Sequence, residues 1–97
     1  MIDYLPMGSI VRYDNSLVMI EQRMVKPLGK NYYIDYRAIP YPTGIFTQAM
    51  YLYFNDQDIE EVIFTGYSDA ENEGFELGLK EDYINNNVFS VRYQEGN

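Results

Sequence analysis

The stretch "NYYIDYRAIPYPTG", Asn31 to Gly44, decides how the chain is read. It gathers Tyr32, Tyr33, Tyr36 and Tyr41 around one aspartate and one arginine. Side chains alternate between the two faces of a strand, so period two is the signal to look for. That period puts Tyr32, Ile34, Tyr36 and Ala38 on one face and Tyr33, Asp35, Arg37 and Ile39 on the other. The second set carries the charges, so it is expected to look outward and the first to line a core. Pro40 and Pro42 lack the N–H a ladder needs, so "PYPTG" stops the strand, and Pro-Thr-Gly suits a type I turn.

Working outward from it, "LPMGSIVRYDNS" reads as a turn at Pro6–Gly8, a strand from Ser9 to Tyr13 and a tight turn at "DNS". "LVMIEQRMV" is a second strand, apolar first and polar later, and "KPLGK" breaks it. On the other side, "AMYLYFN" resumes the alternation, with Met50, Leu52 and Phe54 against Tyr51 and Tyr53. In "NDQDIEEVIF", Asn55 and Asp56 are capping residues. A single helical turn is expected there, leading into a strand over "EVIFTGY" that Gly66 and Tyr67 close.

"SDAE" is read as a capping box of Ser68 with Glu71, opening a helix that runs toward Tyr83. Phe75, Leu79 and Tyr83 form its apolar stripe, with Leu77 and Ile84 nearby. Gly74 and Gly78 weaken it by about 1 kcal/mol each relative to alanine. "NNN" is turn chemistry, and "VFSVRYQ" ends the chain as a strand over 88–94. Val-Arg-Tyr occurs at 11–13 and again at 91–93, which allows the first and last strands to be similar staves of one sheet.

The sum is a single α+β domain over 1–97. Its centre is a small, strongly curved antiparallel β-sheet or half-open barrel of four to six strands. One acidic helix lies in the C-terminal half.

The 97 residues contain no cysteine and no histidine. Thiolate and disulfide chemistry are out, and so are the usual general base at neutral pH and the commonest metal ligand. No apolar run approaches the roughly 20 residues of a membrane helix. The opening "MIDYLPMGS" has no secretory-signal pattern, so no membrane contact and a cytoplasmic address are expected.

The net charge of -8 is uneven. Residues 1–50 carry five bases and four acids, a net +1; residues 51–97 carry two bases and eleven acids, a net -9. Such a surface repels phosphate backbones, so nucleic acid is not an expected partner. It would attract a basic protein face, although solubility alone also explains it.

The carboxylates offer no specific chemistry. "DQDIEE" begins like a calcium loop, yet Glu61 stands where glycine is needed and Tyr67 where the closing glutamate belongs. Capping and solvation account for Asp56, Asp58, Asp69 and Glu71. No glycine pattern cradles phosphate, and no serine stands beside a plausible base. Neither a catalytic residue, a cofactor nor a metal is expected. Tyrosine, by contrast, is both a strand residue and a favoured interface anchor. The surface expected to touch a protein partner combines Tyr33, Tyr51 and Tyr53 with Asp56, Asp58, Glu60, Glu61, Glu73 and Glu76. Exposed strand edges leave a homodimer as another option.

"IDYLPMGSIVRY", "VMIEQR", "YIDYRAIPYPTG" and "YFNDQDIEEVIFTGYSDAENEGFELGL" together resemble a family of small bacterial proteins catalogued as domain of unknown function 4176. The shared features are an L-P-x-G-S opening, a Y-P-x-G turn, and Phe-Asn, Asp-Ile and Gly-Tyr in that order. The resemblance covers about residues 2–80, and the chain departs from it after Leu79. It implies no catalytic residues. It does imply a setting: Gram-positive bacteria, near type VII secretion loci and the LXG toxins exported through them. The expectation is a non-enzymatic accessory factor that binds a secreted toxin or secretion component, as a chaperone or targeting factor. An immunity protein that neutralises the toxin, and a self-associating structural module, are the alternatives.

Overall fold

The computed structural model describes residues 3–85. Five strands form one antiparallel sheet: β1 (Ile10–Tyr13), β2 (Ser16–Val25), β3 (Ile34–Pro40), β4 (Leu52–Phe54) and β5 (Glu61–Phe64). They lie in the order β4-β3-β2-β1-β5, and one helix, α1 (Ala70–Asn85), follows. The architecture is small α+β with an open sheet, as the alternation predicts. The strand expected over 88–94 lies outside the described residues; β1 is already paired on both sides, by β2 and β5.

Local chemistry sets the connections. Tyr13 pairs with Ser16, so β1 and β2 are joined by the two residues Asp14 and Asn15 alone. Both have positive φ, 52° and 62°, as a type I′ hairpin turn requires. Pro6 to Ser9 make a second turn, with Gly8 at φ 88°. Ser9 is fully buried; its hydroxyl donates to the Pro6 carbonyl at 2.7 Å and accepts the Gly66 N–H at 2.8 Å. Gly66 lies so close that a Cβ there would stand 2.4 Å from the Met7 carbonyl oxygen. The opening turn and the end of β5 are thus stapled together through the smallest residue available.

The turn after β3 differs from a type I turn. The Tyr41–Pro42 bond is cis, and the closing bond runs from the Gly44 N–H to the Pro40 carbonyl at 2.8 Å. The regular strand that follows starts only at Leu52, because Gln48–Met50 form a single 3-10 turn. The predicted single turn after β4 is Asp56–Asp58, and it leads into β5.

The sheet curls strongly. Tyr13 of β1 stacks on Phe54 of β4 with ring centroids 4.4 Å apart. Three flat strand spacings would separate those strands by about 14 Å. The concave face holds the core: Val11, Val18, Ile20, Tyr36, Ala38 and Phe54, closed by Tyr4 from the N-terminal segment and Leu79 from α1. Each such aliphatic or aromatic group contributes about 1.5–3 kcal/mol on burial.

A bulge in β2 changes who faces inward. Ile20 pairs with Ala38, but the next paired residue is Gln22, opposite Arg37. The extra residue, Glu21, flips the alternation, so Arg23 and Val25 follow Ile20 to the concave side. Arg23 is therefore buried, opposite Tyr36.

Three expectations about burial need correction. Asp35 is on the convex side but is 2% exposed, because the segment Asn55–Asp58 folds over it. Its N–H donates to Asn55 Oδ1 at 3.0 Å and its carboxylate accepts the Asp56 N–H at 2.8 Å. Tyr32, assigned to the core, is only half-buried. The expected apolar stripe of α1 docks only in part: Leu79 is buried in the core, whereas Phe75, and Leu77 beside the stripe, are exposed. Beside Leu79 the helix rests on Asn72 and Glu76, both of which bind Arg23. Its N-cap is Asp69, whose carboxylate accepts the Asn72 N–H at 3.0 Å; Ser68, the expected cap, accepts from the Asn72 side chain. The side chains of Tyr83 and Ile84 lie outside the described residues.

Candidate functional site

The convex face of β3 and β4 carries the tyrosines that the sequence marks as contact residues. Arg37 of β3 pairs with Tyr53 of β4, and its guanidinium carbon lies 4.1 Å from the centre of the Tyr51 ring. Arg37 Nε also donates to Glu21, the bulge residue. That bond, with the carboxylate charge, holds the Arg37 guanidinium above its ordinary pKa. The cation is thereby fixed against the Tyr51 ring. Across from it, Lys26, Pro27 and Leu28 form the opposite wall of an open groove of about 450 Å³. Leu28 is fully exposed, and Lys26 Nζ lies 6.0 Å above the Tyr33 ring. Tyr33, Tyr51 and Tyr53 are all half-buried, so each ring is anchored while one side stays open.

The acidic candidates are not gathered beside them. Asp56 accepts from the Tyr36 hydroxyl at 3.3 Å and gives its N–H to Asp35. Asp58 accepts the Asn55 N–H at 2.9 Å, closing the turn it sits in. Glu60 accepts the Asn15 N–H at 3.2 Å across the β1–β2 hairpin, and Glu61 pairs with Arg12 at 3.3 Å. Glu76 binds Arg23 at 3.1 Å and the Asn72 side chain at 2.8 Å. Glu73 is exposed on α1. Five of these six carboxylates therefore make bonds inside the fold. The tyrosine groove itself is flanked by Lys26 and Arg37.

Among the described residues no group of three or more His, Cys, Asp or Glu is placed to hold a metal ion. No helix there is long and apolar enough to cross a membrane. The Tyr36 hydroxyl is a strongly displaced titrating group of the interior. Burial pushes its pKa far up, the neighbouring Asp56 and Asp35 charges add to this, and the Leu5 N–H it accepts opposes it. It fastens the N-terminal segment and the Asp56 turn to β3, deep in the core.

Sequence reasoning missed a second exposed region. Val62, Ile63 and Phe64 of β5 are 46%, 45% and 57% exposed, on both faces of the strand. Met7, Tyr67 and Phe75 are exposed close by and line a second groove. The run "EVIF" reads as a strand, but its place at the sheet's edge depends on strand order.

No curated protein and no solved structure matches the chain. The family model described as domain of unknown function, DUF4176, matches residues 4–75, from the first core tyrosine into the second turn of α1, against the 2–80 over which the resemblance was read. With well over half of its length matched, from the Pro6–Ser9 turn through the Gly66 staple, the chain belongs to the DUF4176 family.

Proposed function

We propose that the chain is a non-enzymatic, cytoplasmic protein-binding factor. In the setting that the family resemblance implies, it serves as a chaperone or targeting factor for an LXG-type toxin exported by type VII secretion. The observation that carries the protein-binding reading is the groove between Tyr51–Tyr53 and Lys26–Leu28. Its Tyr51 ring packs against the Arg37 guanidinium and its lining includes a fully exposed leucine. Aromatic residues held in place lose little entropy on binding and are favoured anchors of protein interfaces. The lack of histidine and cysteine, and the internal bonds of most candidate acids, speak against proton-transfer catalysis.

The test is affinity capture of the tagged chain from its native host, beside a Tyr51→Ala/Tyr53→Ala variant. A secreted toxin or secretion component is expected with the wild type and is depleted with the variant. Recovery of neither by the wild type overturns the reading. Co-expression with the captured toxin then separates the roles: changed export or solubility fits a chaperone, and rescue of growth fits an immunity protein.

A further inference from the structure

We propose that the outer edge of β5 is a docking site for an extended segment of a protein partner, rich in alternating apolar and basic residues, which adds to the sheet as a further strand. The proposal rests on the protein-binding reading and names a contact distinct from the tyrosine groove.

Three observations converge on this edge. β5 is the last strand of the sheet, hydrogen-bonded within the described residues to β1 alone. Its outward N–H and C=O groups are a template for another strand. Edges are usually blunted by charge or proline, yet after Glu61 the strand runs Val62-Ile63-Phe64. The opposite edge, β4, differs: it is only three residues long and its Phe54 is buried.

The second observation is the groove at Tyr67, three residues past the end of the strand. Met7, Tyr67 and Phe75 wall a space of about 540 Å³, with Asp69 and Glu71 among its lining residues. Arg23 lines it too, but its guanidinium is already bound to Glu76, Asn72 and the Leu5 carbonyl. The groove thus offers apolar walls beside carboxylates, which suits a large apolar side chain next to a basic one.

The third is charge. The exposed Glu60 stands just before β5, and Glu71 and Glu73 are exposed at the start of α1; Glu61 is already paired with Arg12. Residues 51–97 carry eleven acids and two bases. A second copy of this chain would bring two such halves together, whereas a basic segment meets complementary charge.

The experiment uses the full chain and two octapeptide probes with blocked termini, the basic (Lys-Val)4 and the acidic (Glu-Val)4. Amide hydrogen exchange is followed by mass spectrometry. In the free protein, exchange over 61–64 is expected to be fast relative to β2. The basic probe is expected to slow it by about tenfold or more and the acidic probe to leave it unchanged. Ile63→Lys, at an exposed position, is expected to abolish the effect while β2 keeps its protection. Protection of 61–64 already equal to β2 in the free chain overturns the proposal, since the edge is then not open to a partner. Equal protection by both probes overturns the basic partner, and no protection over 61–64 overturns the site. If Ile63→Lys captures the host partner as well as the wild type does, the docking site fails while the protein-binding reading stands.

Discussion

Replacing Glu76 by alanine is expected to loosen α1 more than removing either of its large exposed apolar residues. The Arg23 side chain is 6% exposed and that of Glu76 is 20% exposed. Taking one partner from a buried ion pair costs about 3–5 kcal/mol, because the other charge stays behind. Here Arg23 keeps the Leu5 carbonyl and Asn72 Oδ1 as acceptors, and Glu76 is partly solvated. Both reduce the cost, to about 2 kcal/mol. Phe75 is more than half exposed, so truncating it forfeits about 1 kcal/mol of ring burial and cation–π contact with Arg23. Leu77, more exposed still, is worth about 0.5 kcal/mol or less.

Urea unfolding followed by circular dichroism, at constant m, gives the ranking directly. For a domain of this size the Glu76→Ala loss corresponds to a fall in Tm of about 8–16 °C. An Arg23→Met/Glu76→Leu double variant should recover much of it, since no charge is then left unpaired. If Phe75→Ala or Leu77→Ala costs more than Glu76→Ala, those two residues hold α1 and the polar clamp is wrong.

Other outcomes follow from the same geometry. Gly66→Ala places a methyl group against the Met7 carbonyl and the Ser9 N–H, at 2.4 and 2.9 Å from their heavy atoms, and should cost about 3 kcal/mol or more in the same unfolding assay. Ser9→Ala, which leaves the Gly66 N–H without its acceptor, should cost about 1–3 kcal/mol. The raised Tyr36 pKa makes that group's contribution complete below the unfolded value of about 10 and progressively lost as pH rises above it. Phenolate absorbance should show one tyrosine ionising only with unfolding, and Tyr36→Phe should remove that component. The Lys80 ammonium, 2.6 Å from Asp3, holds the Asp3 carboxyl below its ordinary value. Its contribution is present above the unfolded pKa and lost as pH falls through the folded one. An NMR titration should find the Asp3 midpoint rising toward normal in Lys80→Ala or in high salt.

Much of the fold is legible in the chain because strand period and turn chemistry are local. Asp14-Asn15 between two apolar runs suffices for a tight hairpin, and "NDQD" followed by "EVIF" suffices for a turn and a strand. What stays hidden is what one element does to another. The bulge at Glu21 turns Arg23 inward, and nothing in "MIEQRMV" marks where the extra residue sits. Once Arg23 is inside, α1 must supply acceptors, so the helix docks on Asn72 and Glu76 beside the buried Leu79 while the apolar Phe75 and Leu77 face out. Asp35 obeys its alternation, yet a loop twenty residues later buries it. For the candidate site, strand alternation finds Tyr51 and Tyr53, but Lys26 and Leu28 join them only through tertiary packing. Five of the six acids, read as one surface, are individually used for caps and cross-links, and Glu73 is exposed.

The central claim is that the molecule acts through what it binds. The most direct measurement is the dissociation constant of its captured host partner for the wild-type chain and for Tyr51→Ala/Tyr53→Ala, made after unfolding curves show the two equally folded. The account predicts a loss of at least about tenfold, since two interface aromatics of 1 kcal/mol or more each are removed. Equal affinity would contradict it, as would turnover of a small molecule by the purified chain that ends on changing a single Asp or Glu.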